Sequence, residues 1–178
     1  EGGAIYRFTE GNPLFVVETV RADLGATGLA QAVKWPARGA PLPTLPPRVQ
    51  SVIQTRLAQL SAAAHELAAL ASTIGRSFTF DVLAQACAQS EDAVVRSLDE
   101  LWQHRIVREQ GVNAYDFSHD RIRDVAYAEI SPARRRSLHR RVAHALEQGY
   151  GADSDTFSAQ IANHYEQAGD IQQALIYY

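Results

Sequence analysis

His119 is the residue whose position in this chain most invites chemistry. It stands in residues 115–130, "YDFSHDRIRDVAYAEI", where an alternating run, Tyr115-Asp116-Phe117, stops at Ser118 and a stretch with helical apolar spacing begins. The head of a helix presents N–H groups with no intrahelical acceptor and about half a positive charge. An imidazole N–H there adds a directed donor, so the ligand such a corner suits is an anion. Packing is the competing reading. His119 lies three residues before Ile122 and seven before Ala126, on the helix's apolar face. From the residues alone both readings stay open.

Other chemistry-bearing residues point to less. His65-Glu66 opens like the zinc signature HExxH, but Ala69 occupies the second histidine position, which excludes that signature. His139 and His144 are five apart, too far round a helix to share one metal, and the remaining histidines read as structural or solvated. Cys87, the single cysteine, falls on an apolar helix face with no base near it in sequence and reads as a buried, inert thiol. It excludes an internal disulfide framework and fits a reducing compartment, so a cytoplasmic location is expected. No GxxxxGK[ST] loop is present, so the chain cannot hold a nucleoside triphosphate in that manner. The one basic run, "ARRRSLHRRVAHAL" at 133–146, reads either as phosphate contact on nucleic acid or as the solvated face of a helix whose other face is Leu138, Val142 and Leu146. The second is preferred. The net charge is −3 and no aromatics are interleaved for base stacking.

The elements that would carry these residues are mostly helical. Gly11-Asn12-Pro13 has the chemistry of one helix ending and another starting. A helix from Pro13 to about Leu24 would present Phe15, Val16, Thr19 and Val20 on one side. Residues 25–47 hold three glycines and five prolines, with Val33-Lys34-Trp35 as a candidate short strand. Pro46-Pro47 starts a helix carrying Val49, Ile53, Leu57 and Leu60. Ser61 caps the next, with Leu67, Leu70, Ala71 and Ile74 inside. An extended Ser77-Phe78-Thr79 leads to Phe80, Leu83, Ala84 and Cys87, and Ser90 caps a helix whose stripe is Val94, Leu98, Leu101 and Trp102. Ile106 to Gln110 and Ala114 to Phe117, separated by Gly111-Val112-Asn113, carry a hairpin signal. Three helices and a hairpin predict a winged helix. Ser118 then opens the helix of His119, and Ser131-Pro132 opens another with Leu138, Val142, Ala145 and Leu146 inside. In "IANHYEQAGDIQQALIYY" (161–178), Ile161, Ala162, Tyr165, Gly169, Asp170, Ala174 and Tyr178 fall at tetratricopeptide spacing. One such repeat cannot bury its own faces. The start Glu1-Gly2-Gly3 and the lack of any methionine lead to the expectation of a piece cut from a longer protein. A balance of 46% hydrophobic and 21% charged residues is that of a globular chain, and no apolar run approaches the roughly 20 residues needed to span a bilayer.

Five stretches occur in an order found in one known family: "TEGNPLFVVETV" (9–20), "LPPRVQSVIQTRLAQLS" (45–61), "IGRSF" (74–78), the stretch at 115–130 and "RRRSLHRRVAHALE" (134–147). The chain resembles the STAND class of signal-transducing ATPases in the AAA+ superfamily, which includes LuxR-type and activator-type bacterial transcriptional regulators. The resemblance covers nearly the whole chain, but the half of the ATPase domain with Walker A and Walker B is missing. It implies a mainly α fold with three parts. Residues 1–60 would be the end of the helical lid with a linker, 61–130 a winged helix with one β-hairpin, and 131–178 the start of a tetratricopeptide-type array. Gly11, Asn12 and Pro13 match the family's GxP motif, whose proline packs by the adenine. His119 matches the winged-helix histidine that contacts the β-phosphate of bound ADP in the closed, inactive state. ATP or ADP with magnesium is implied for the full-length protein, and no cofactor or catalysis for this segment alone. The implied partners are the upstream nucleotide-binding domain and a protein or small-molecule effector on the array, without membrane contact and without direct DNA binding by this segment. Two rival readings remain, a purely structural protein-interaction domain and a DNA-reading winged helix. In the latter, Arg96, His104 and Arg105 would face DNA beside Glu91, Asp92, Asp99 and Glu100.

Overall fold

Hydroxyl and proline signals set the helix starts in the computed structural model, which describes residues 47–150 and 155–178. Helix α1 (Pro47–Ala58) opens on proline, where a missing N–H costs nothing. Helix α2 (Ala62–Ile74) opens on Ser61, whose Oγ accepts from the Ala64 N–H at 3.2 Å. Ser61 also donates its own N–H and O–H to the Glu100 carboxylate, at 2.6 and 2.7 Å. Strand β1 (Ser77–Thr79) follows, then helix α3 (Phe80–Ala86), capped by Thr79 Oγ1. Helix α4 (Glu91–Gln103) comes next, then strands β2 (Val107–Glu109) and β3 (Ala114–Phe117). Helices α5 (Asp120–Ala128), α6 (Pro132–Tyr150), α7 (Asp155–Ala168) and α8 (Ile171–Tyr177) complete the described chain. The fold is mainly α, with one small sheet among the described residues.

That sheet is antiparallel in the order β1-β3-β2. The hairpin aligns Val107 with Phe117 and Glu109 with Tyr115. Its turn needs left-handed backbone at Gly111 (φ 73°) and Asn113 (φ 63°), the conformation these two residue types tolerate best. Asn113 is tied to α3, its Nδ2 donating to Asp81 at 3.0 Å. β1 completes the sheet by pairing Ser77 with Asp116 and Thr79 with Ala114. Sequence reading gives β1 as an extended piece but not its pairing, which joins residues almost forty positions apart.

Residues Arg56–Tyr178 form one compact unit. α2 is its axis, buried along nearly its whole length and packed on α4, α5 and α6. α6 packs on α3 and α7 as well, so residues 61–130 and 131–178 share a core. Gly169 (φ 84°) turns the chain between α7 and α8, where Ala162, Ala168 and Ala174 are buried.

Four local expectations need correction. Trp102 is 59% exposed, because about 100° per residue swings it off the stripe centred on Val94, Leu98 and Leu101, which Ser97 completes instead. The buried face of α3 is Val82, Leu83 and Ala86, leaving Phe80, Ala84 and Cys87 only half-buried. His119, not Ser118, is the N-cap residue of α5, since the Ser118 N–H is held by the Ile106 carbonyl as a continuation of the hairpin. Glu100 is not a free surface acid, since its carboxylate accepts from the Ser61 N–H and O–H at the head of α2. Among the described residues no helix is long and apolar enough to cross a membrane. The Pro13 helix and the Val33-Lys34-Trp35 strand lie outside the described residues.

Candidate functional site

The site is built where the sheet hands the chain to α5. Phe117 donates its N–H to the Arg76 carbonyl at 3.0 Å, and β1 runs alongside β3 immediately after it. "IGRSF" and "YDFSHD" therefore form one locus, though some forty residues separate them in sequence. His119 sits at its corner in extended backbone (φ −149°, ψ 142°), half-buried, its carbonyl accepting from the Ile122 N–H at 3.0 Å. The imidazole makes no capping hydrogen bond to its own helix. Next to it, in the first turn, Asp120 accepts from Arg76 Nη1 at 2.7 Å. One strand lower, the buried Asp116 faces Arg108 at 3.5 Å.

This corner gathers a guanidinium, an imidazole and a helix N-terminus, three groups suited to an anion. The Arg76–Asp120 pair is about half exposed on both sides, so a stronger anion could compete with Asp120 for Arg76. Reasoning from sequence puts His119 at the start of a helix, where it lies, and does not single out Arg76. Its only signal was membership in a second stretch of the same resemblance. Gly11, Asn12 and Pro13 lie outside the described residues.

A second polar cluster joins α5, α6 and α7. His139 Nδ1 lies 2.9 Å from His164 Nδ1, and His139 Nε2 lies 2.8 Å from the Tyr127 hydroxyl. With both imidazoles neutral, a single proton serves the Nδ1···Nδ1 contact, whichever ring carries it. Burial pushes both down to about 4, helped at His139 by the Arg135 and Arg123 guanidiniums and at His164 by His139 itself. Arg135 lies over the Tyr127 ring at 4.2 Å and donates to the Tyr127 and Ile130 carbonyls. Further along, Glu147 accepts from the Tyr165 hydroxyl at 2.8 Å and from the Tyr177 hydroxyl. Those two bonds, Tyr177 first, hold its carboxyl below the usual range.

The arginines of α6 are largely committed within the chain. Arg134 pairs with Glu66 at 3.2 Å, Arg140 with Asp170 at 2.6 Å, and Arg141 donates to the Ala86 carbonyl at 2.7 Å. Arg135 and Arg141 stand three residues either side of the buried Leu138. That spacing puts them on the flanks of the apolar stripe and was the available sign that they are not solvent-facing. Among the described residues no group of three or more His, Cys, Asp and Glu side chains is gathered as a metal site.

No family model matches the chain, and no solved structure matches it. A stretch of 130 residues, 71% of the chain, is 28% identical to an uncharacterized protein of Rhizobium meliloti (strain 1021), of which it covers 12%. The chain thus spans only a small part of that relative's length.

Proposed function

We propose that this chain is the regulatory segment of a cytoplasmic, ATP/ADP-controlled signalling ATPase of the STAND class, a bacterial transcriptional regulator. α2 to β3 act as a winged helix that senses nucleotide state, and α6 to α8 open the tetratricopeptide-type array that receives an effector. His119 and Arg76 hold the terminal phosphate of ADP delivered by an upstream nucleotide-binding domain, where Gly11, Asn12 and Pro13 line the adenine side and magnesium accompanies the triphosphate. The segment performs no hydrolysis of its own. The observation that carries the reading is the meeting of "IGRSF" and "YDFSHD" at one corner, with Arg76 on Asp120 and His119 heading α5. A relative many times longer than this chain is compatible with a large multidomain parent.

The DNA-reading alternative needs α4 to present basic side chains to the major groove. Its exposed face carries Glu91, Asp92 and Asp99 beside the single Arg96, and phosphates would be repelled. Two observations test the proposal. The complete reading frame must encode GxxxxGK[ST] upstream of residue 1, and the purified full-length protein must carry ADP. A reading frame without that loop, or a nucleotide-free protein that cannot be loaded with ADP, defeats it.

A further inference from the structure

A cleft of about 180 Å³ opens between the sheet and the helical pair α6–α7. Phe78, Val82 and Leu146 form its floor, and Phe78 is fixed there by an edge contact to Phe117 and a stacked contact to Tyr115, both at 6.1 Å. One wall is flat, since Tyr150 and Phe157 stack with ring centroids 3.8 Å apart and planes 11° from parallel. Ser77, Thr79, Tyr150 and Gln160 carry the polar side-chain atoms of the lining, with the Thr79 hydroxyl already capping the next helix. Among the described residues no charged side chain lines the cleft.

We infer that this cleft is a binding site for a small, neutral, planar molecule the size of one substituted aromatic ring. An apolar cavity of about 150 Å³ takes up benzene, so the volume fits one ring with a short substituent. The Tyr150–Phe157 face offers a surface for offset stacking. The hydroxyl of Ser77 and the amide of Gln160 suit one polar substituent, whereas an ionised ligand would lose its hydration with no counter-charge to replace it. The walls come from the end of α2, β1, β3 and α3 together with α6 and α7, so an occupant would bridge the sheet to the helical pair. The inference stands whether or not the nucleotide-sensing proposal holds.

The test is a titration of the uniformly ¹⁵N-labelled 178-residue chain with toluene and separately with benzoate, read from backbone amide shifts. Toluene is expected to move the amides of residues 77–79, 114, 146–150 and 157–160 in a saturable way, and benzoate to leave them in place. Ala114→Phe fills the cleft from the strand side and should abolish the toluene response while the remaining amides keep their positions. If that variant does not fold, Phe157→Ala, which removes half the flat wall, should weaken the response at least tenfold. Unmoved cleft amides in saturated toluene, an equal response to benzoate, or a toluene response that survives the substitution would each overturn the inference.

Discussion

His139 and His164 belong to the residue scale, where burial, helped by neighbouring positive charge, decides their charge. Both are nearly inaccessible, at 5% and 3% exposure, and both have folded-state pKa values depressed to about 4 from 6.5. The unfolded chain therefore binds more protons between those values, and stability falls as pH drops from 6.5 towards 4, while above 6.5 the pair contributes its full share. The groups facing the pair are Tyr127 and Arg123 of α5 and Arg135 of α6, and neither arginine loses its charge in this window. The expected loss by pH 4.5 is on the order of 5 kcal/mol for the two histidines together, measured by urea unfolding at stepped pH. A double variant, His139→Phe with His164→Leu, should flatten that slope; an unaltered slope would move its origin elsewhere. None of this pair was legible in the sequence. His139 and His164 are 25 positions apart, and only the packing of α7 on α6 joins them. His119 was legible, because its neighbours signal a strand end and a helix start locally.

Caps and turns belong to the element scale, and there the sequence spoke most plainly. Ser61, Ser90 and Ser131 each precede a helix, Ser61 and Ser131 with a side-chain capping hydrogen bond and Ser90 without one, and Gly111-Val112-Asn113 bends the hairpin. What local signals could not supply was pairing: β1 on β3, and Glu100 reaching back to Ser61. Trp102 was misplaced because one position of helical rotation separates the flank of a stripe from its centre. Gly111→Ala should cost about 1 kcal/mol, since a Cβ at φ 73° is strained even though open space surrounds it. Thermal unfolding measures this, and an unchanged midpoint would mean that the turn rearranges freely. Ser61→Ala removes a cap and strips one of the two hydrogen bonds that Glu100 accepts from this residue. The serine N–H survives the change, so the expected loss is about 1–2 kcal/mol. Glu100→Ala should cost a similar amount if the carboxylate and the cap act as one unit, whereas a neutral Glu100→Ala would separate them.

At the scale of the whole molecule, charge and topology set what the chain meets. Its acid-faced α4 and internally paired α6 arginines lead to weak, sequence-independent DNA binding that falls steeply with salt. A mobility-shift assay at physiological salt checks this, and sequence-specific binding lost on substituting α4 would favour the rival reading. The central claim is that the corner formed by His119 and Arg76 holds ADP in the full-length protein. Release of a fluorescent ADP analogue from that protein tests it most directly, comparing wild type with His119→Ala. Removing one donor to a charged phosphate should speed release about 5- to 150-fold, the equivalent of 1–3 kcal/mol, with the fold intact by circular dichroism. An unchanged release rate in a folded His119→Ala protein would contradict the account and return His119 to packing.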